Sequence, residues 1–582
     1  MTKYSLENFN SSTKFIDLEA IFDVSKHQIL ELGIARWRPA RYDFQFYAQY
    51  LQNIHFFDEN DNEISYAKLN ADTWIFETKK IELVKVKYSF YANQNEAGGT
   101  FVCDEFILIN PINCLFYDLN NLDSKIELYL KQDFNSYKIA CGTKNISQLD
   151  ERHLVEFKDI YEAFDTPMLL SKNPKQINFE VPDLENNKIE IDITLVGENK
   201  LYLEVLKHDF SAFISKQVEI FKSFPVDYYH FLCILEPDFM YHGVEHQNSS
   251  VNIYGSSFKL FNEASKDKTT PTKTENYKEF LGICCHEFFH SWNIKSIRPT
   301  ELLKYNYTKE HIFETGYVAE GFTTYYGDLI LYRAGLIDLK EYAKILANYA
   351  SIHNQNYGKY IASMHESSND LWLDGYKKGI PDDKVSIYTE GCLQALILDY
   401  TIQKITNKKA SLDNLLLEMF HEFGHHKKGY QEMDLVKILN QITGTDFSVY
   451  FKEHFDSKVD LIAQLSEAIK IFGLELELKN SDKIWESQFG FKLQLQNPNI
   501  VVAKILPFSS SYNFLELNDV LISVNQHALT ALNHIGIFEY FTGESVELCI
   551  NRNGKILNLR LIPDIENGFK KVEIKTQESK IE

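Results

Sequence analysis

Residues 286–290 read HEFFH. On a helix, side chains four apart share a face, so histidines at this spacing can grip one zinc ion. The glutamate after the first histidine then faces a metal-activated water as general base. Such a site also needs a third protein ligand and a coordination position left open. The chain carries the pattern twice, since residues 421–425 read HEFGH. Zinc-dependent hydrolysis at one of the two is the chemistry these residues could do.

Their surroundings separate the copies. Upstream of His286, Glu287 and His290, the residues Phe280, Leu281 and Ile283 give a buried flank. Downstream, GYVAEGFTTYYGDLILY (316–332) reads as a second helix with Glu320 near its start. Glu301, Glu310 and Glu314 are also within reach by spacing, but the last two sit in a polar, looping stretch. A carboxylate on an apolar, aromatic helix is costly unless it is paired, which favours Glu320 as third ligand. The second copy ends in Gly-His-His-Lys-Lys-Gly, a basic helix terminus with no carboxylate-bearing apolar helix behind it. It reads as a helix end. Cys284 and Cys285 beside the first copy read as small packing residues.

The elements that must hold this site fall into blocks. Up to about residue 160 the chain reads as β-structure, with Val84, Val86, Tyr88 and Phe90 alternating with Lys85, Lys87 and Ser89. Strands continue to about 240, where Ile189, Ile191, Ile193 and Leu195 alternate with polar residues. Long helical segments occupy about 274–455. Strands return beyond 465, including a hairpin in 546–562 around Asn-Gly. The expected fold is multidomain α+β: an N-terminal β-sandwich-like domain (1–160), a mostly helical catalytic domain (161–462), a third domain (463–570) and a flexible tail (571–582). The cationic, aromatic stretch RWRPARY (36–42) reads as a strand-end loop.

With 582 residues the chain exceeds what one core can serve. A net charge of −22 argues against nucleic acid or an anionic membrane as partner. No apolar run is long enough to span a bilayer. The N-terminal stretch MTKYSLENFNSSTKF has no secretory core. The eight scattered cysteines suit free thiols in a reducing compartment, so a cytoplasmic location is expected.

The run HEFFHSWNIKSIRP (286–299) resembles the glycyl aminopeptidase family of gluzincin metallopeptidases, whose helix continues H-x-W-N-x-K-x-I-x-P. EGFTTYYG (320–327) is similar to the family's third-ligand helix. The resemblance implies one catalytic zinc on His286, His290 and Glu320, with Glu287 as base. It implies a thermolysin-like catalytic domain. HGVEH (242–246) is similar to G-G-x-E-H, which assigns the substrate's ammonium to Glu245, beside Gly243, with His242 in place of the first glycine. IYTEG (387–391) resembles Y-x-K-G, which makes Tyr388 an oxyanion donor and puts Glu390 where lysine is usual. RWRPARY is similar to a W-x-P-G-x-Y turn with Ala40 in place of glycine. QFGF (488–491) and LELNDVLISVNQ (515–526) resemble a PDZ domain, which would bind peptide C-termini. The implied function is an aminopeptidase acting on peptides with a free N-terminus, with preference for small residues such as Gly or Ala. An endopeptidase or oligopeptidase, or a non-catalytic PDZ scaffold, are the alternatives.

Overall fold

The computed structural model describes residues 1–149, 152–197, 201–236, 241–255, 260–262, 272–377, 379–424 and 428–576. The chain is multidomain α+β, with a β-rich N-terminal part and a helix-rich part after it. It divides into two compact units, the first comprising Met1–Asp338, His365–Lys378 and Ile402–Phe451. The second comprises Leu339–Met364, Gly379–Thr401 and Lys452–Glu582.

The first unit begins with a seven-stranded sheet. Its adjacent strands Thr2–Asn10, Phe15–Asp23 and Leu83–Tyr91 each run antiparallel to the next. Val84, Val86, Tyr88 and Phe90 are buried, as their alternation predicts, in a core with Tyr4, Leu6, Leu18 and Phe22. Two four-stranded sheets complete this part.

Next comes a five-stranded sheet in the order Lys175–Pro182, Lys188–Val196, Tyr228–Ile234, Ser249–Ile253, His242–Glu245. Its three middle strands are parallel and covered on both faces, so Tyr228–Ile234 is buried throughout. The edge strand His242–Glu245 runs antiparallel to Ser249–Ile253. HGVEH, which as bare sequence reads as a polar loop, is therefore a strand ending in a turn.

Helices Leu203–Phe221 and Glu275–Phe289 follow. The second is capped by Thr274, whose hydroxyl accepts from the Tyr277 N–H. Tyr317–Phe322 is a π-helical turn that runs into the α-helix Thr323–Arg333. The rings of Phe289 and Tyr326 stack at 4.9 Å where the helices meet.

RWRPARY is more than a strand-end loop. Trp37 is fully buried, donates from Nε1 to the Asn306 carbonyl (2.9 Å) and meets the ring of Trp372 edge-on at 5.0 Å. Ala40 holds φ +65°, the left-handed conformation that glycine takes at no steric cost.

The second unit contains helices Leu339–Gln355 and Thr389–Ile405 and a sheet ordered Phe491–Gln496, Asn499–Ile505, Val520–Val524, Val546–Arg552, Lys555–Leu561. The last two strands form the expected hairpin, with Asn553 and Gly554 both at positive φ. The tail expected to be flexible is ordered in part. Lys570–Thr576 pairs antiparallel with Leu474–Asn480, because Val572 is buried and Lys575 and Lys571 find acidic partners. None of the eight cysteines forms a disulfide. Among the described residues, no helix is long and apolar enough to cross a membrane.

Candidate active site

The helix Glu275–Phe289 carries His286 and Glu287 and ends with His290 as its C-cap. His286 Nε2 and His290 Nε2 lie 3.1 Å apart, and Glu320 Oε2 stands 3.9 and 3.5 Å from them. A tetrahedron with metal–ligand distances of about 2.0–2.1 Å has edges of roughly 3.3 Å, so this triangle fits zinc. Glu301, Glu310 and Glu314 are exposed and take no part.

A second triangle shares a corner with the first. Glu245, Glu287 and His290 also bring ligand atoms within 4.8 Å of one another. Three buried glutamates thus surround His290 (Glu245 5%, Glu287 6%, Glu320 4% exposed). Burial, then mutual repulsion, pushes the Glu287 carboxyl well above its ordinary range, and burial pushes Glu245 up as well. His290 moves the other way: against burial, which favours the neutral ring, the glutamates raise it to about 10. Burial and His290 hold His286 well below its ordinary value. Such a donor set suits a divalent cation.

Local structure explains how these groups hold position. Ile294 sits at φ +90°, a strained conformation for a β-branched residue. The turn it forms lets the Asn293 carbonyl take a hydrogen bond from His290 Nδ1 (3.0 Å), which fixes the ring with Nε2 toward Glu320. Asn293 Nδ2 donates to the Val318 carbonyl (2.7 Å) and so ties the turn to the segment carrying Glu320. Trp292 stacks on Phe221 at 4.8 Å and donates to the Ser223 carbonyl. Gly243 is required by close approach, since a Cβ there would come within 2.1 Å of Glu287 Oε1.

Asp165 has no local sequence signal, yet it joins the parts. It accepts from Lys295 Nζ (2.9 Å), His246 Nδ1 (3.0 Å) and the Gln247 N–H (3.0 Å). The turn after Glu245 is thereby pinned to the segment following the helix that carries His286 and His290. Against burial, which would raise it, Lys295 and His246 hold the Asp165 carboxyl well below the carboxylate range. A depressed carboxyl contributes stability that is complete above its unfolded value of about 4 and is lost as pH falls through the lower folded value. The Lys295 side chain is only 1% exposed, so Asp165→Asn leaves a buried cation unpaired. The expected cost is about 3–5 kcal/mol, measured by denaturant unfolding at pH 7, with the difference from the parent shrinking below pH 4.

The other sequence-derived residues fall elsewhere. Tyr388 belongs to the second unit, immediately before the helix Thr389–Ile405. There Glu390 Oε2 accepts from the Ser386 N–H (2.8 Å) and Oε1 from Asn356 Nδ2 (3.0 Å), with His353 Nδ1 at 3.7 Å. Glu390 is thus a buried, partnered brace for the turn carrying Tyr388, a role that lysine could not fill with these acceptor contacts. In HEFGH, His421 and Glu422 are exposed, and His425 lies outside the described residues. Cys284 and Cys285 are fully buried, with Gln217 Nε2 donating to the Cys285 carbonyl.

Comparison with known proteins relates the chain to known families and folds. Residues 279–394 match the M61 glycyl aminopeptidase family, and residues 3–172 match the peptidase M61 N-terminal domain. No curated protein matches the chain. Among solved structures, an aminopeptidase N family protein from Idiomarina loihiensis is similar over 99% of both chains, with a TM-score of 0.88 and 23% identity. An M1 zinc metallopeptidase from Deinococcus radiodurans aligns over 76% of this chain and 90% of its own, with a TM-score of 0.46 and 9% identity. Legionella pneumophila aminopeptidase A aligns over 99% of this chain and 56% of its own, with a TM-score of 0.49 and 10% identity.

Proposed function

We propose that this chain, which belongs to the M61 glycyl aminopeptidase family, is a zinc-dependent aminopeptidase that removes small N-terminal residues such as Gly or Ala from peptides. Family membership supports peptidase activity. The observation that carries the finer reading is the pair of triangles meeting at His290, one suited to a metal and one placing two further carboxylates beside it.

His286, His290 and Glu320 would hold one zinc ion, which when bound supplies Lewis acidity and brings the pKa of water toward neutrality. Glu287 takes the proton of the attacking water and hands it to the leaving amine. Its burial keeps the carboxylate poorly solvated, which suits a group that must both accept and release a proton. Glu245 pairs with the substrate's ammonium group and so measures one residue from the N-terminus. Gly243 leaves the room that Glu287 needs. Tyr388 is the oxyanion donor in this reading. Eight cysteines without a disulfide among them fit a reducing, cytoplasmic setting.

The module at 463–570 enters as a PDZ-like scaffold rather than as a capturer of peptide C-termini. In its QFGF segment Phe489 is fully buried, the Gly490 N–H donates to the Glu486 carbonyl, and the Gly490 carbonyl accepts from Leu506.

The test is the free amine. Gly-Ala-Phe-amide is expected to lose its N-terminal glycine, and its N-acetylated form to be cleaved at least about 100-fold more slowly, since a buried charged pair is lost. Product formation is read by mass spectrometry. Equal cleavage of both forms would favour an endopeptidase instead.

A further inference from the structure

The N-terminal β-rich part contributes a side chain beside the site that the chemistry above does not use. Arg38, from RWRPARY, is 2% exposed. Its Nη1 donates to the Pro39 carbonyl (3.2 Å). Nη2 lies 3.7 Å from Glu96 Oε1, beyond hydrogen-bond reach, and the other Glu96 oxygen takes Arg41 Nη1 at 2.5 Å. Among the described residues, no group accepts from Arg38 Nε or Nη2. A buried guanidinium with orphaned donors is costly and calls for an explanation.

The surroundings place it against the site. A Cβ on Gly98 would come within 1.8 Å of Arg38 Cζ, so that glycine admits the guanidinium plane. The neighbouring Ala97 N–H donates to His242 Nδ1 (3.3 Å), and His242 precedes Gly243, which abuts Glu287. Tyr42, four residues on, is buried against the rings of Phe313 and Trp372.

Nε–H and Nη2–H form one edge of the guanidinium, the fork that grips both oxygens of a carboxylate. We propose that this edge of Arg38 receives a carboxylate of the substrate, so that peptides bearing a carboxylate close to the cleaved bond are the preferred class. The inference rests on the aminopeptidase reading. The carboxylate could be the free C-terminus of a di- or tripeptide or an acidic side chain next to the bond. His242, in place of a glycine, helps to frame this corner.

The experiment compares kcat/KM of the zinc-loaded full chain on Gly-Ala, Gly-Ala-Ala, the amides of both, and Gly-Asp-amide. At least one carboxylate-bearing peptide is expected to exceed Gly-Ala-amide about ten- to a hundredfold, the range of a charged hydrogen-bonded pair. Advantage confined to Gly-Ala or Gly-Ala-Ala assigns the C-terminus; advantage of Gly-Asp-amide assigns the side chain. Arg38→Gln should bring the preference ratio near one whatever happens to the absolute rate, and Arg38→Lys should restore it only in part. Equal rates on all wild-type substrates overturn the carboxylate site while leaving the aminopeptidase reading intact. A ratio unchanged in Arg38→Gln overturns the role of Arg38. If no peptide loses its N-terminal residue, both readings fall together.

Discussion

Glu287→Ala is expected to keep its zinc and lose roughly 10²–10⁴-fold in kcat, the contribution of a positioned general base. Glu287 is not one of the three groups whose donor atoms form the triangle of 3.1, 3.5 and 3.9 Å, so metal binding does not depend on it. Turnover of Gly- or Ala-naphthylamide and zinc content by atomic absorption check the two halves separately. Unchanged turnover would remove Glu287 from the mechanism. Full zinc with no turnover in the parent protein itself would favour a non-catalytic scaffold.

Glu320→Gln has an effect as large on a different quantity. Two histidines with a weak neutral third donor do not make the three-ligand site that a catalytic zinc needs. The variant is therefore expected to lose its zinc on dialysis and its activity with it. In the parent, zinc at about 100 times its dissociation constant stabilises the folded state by about 2.7 kcal/mol, which chelation removes as a fall of several degrees in Tm. In the variant the melting temperature should not respond to chelator. A structural ion pair makes the opposite forecast: Glu320→Gln would then cost about 3–5 kcal/mol with or without metal.

The site was legible where chemistry and periodicity share a short stretch. Four-residue spacing put His286 and His290 on one face, and the cost of a bare carboxylate on an apolar helix singled out Glu320 from three nearer or equally placed glutamates. Alternation at 84–90 and 189–195 marked strands whose apolar residues are buried as expected. HGVEH was readable only through resemblance, because a glutamate between histidines carries no periodic signal. Asp165 and Arg38 were not legible as parts of the site. Asp165 is 130 residues from Lys295, and Arg38 lies more than 200 positions before His242, the residue its neighbour Ala97 contacts. Their meaning comes from long-range packing, which has no local spacing to betray it. Ile294 escaped for another reason: nothing in its residue type suggests a left-handed backbone, a strain imposed by the surrounding fold.

The π-helical turn Tyr317–Phe322 has a consequence for how the site tolerates change. A π turn is an α-helix holding one residue in surplus. Downstream, Thr323–Arg333 is anchored to the helix Glu275–Phe289 through Phe289 and Tyr326. Excising that surplus would let the turn heal with little change in facing, whereas excising one residue from the regular helix between Thr323 and Tyr326 would turn everything upstream by about 100°. Glu320 would still be present, spelled in the same neighbourhood, but aimed elsewhere. The address of this carboxylate is thus written in chain length as well as in residue identity, and a homologue can lose the site without losing a single one of its letters.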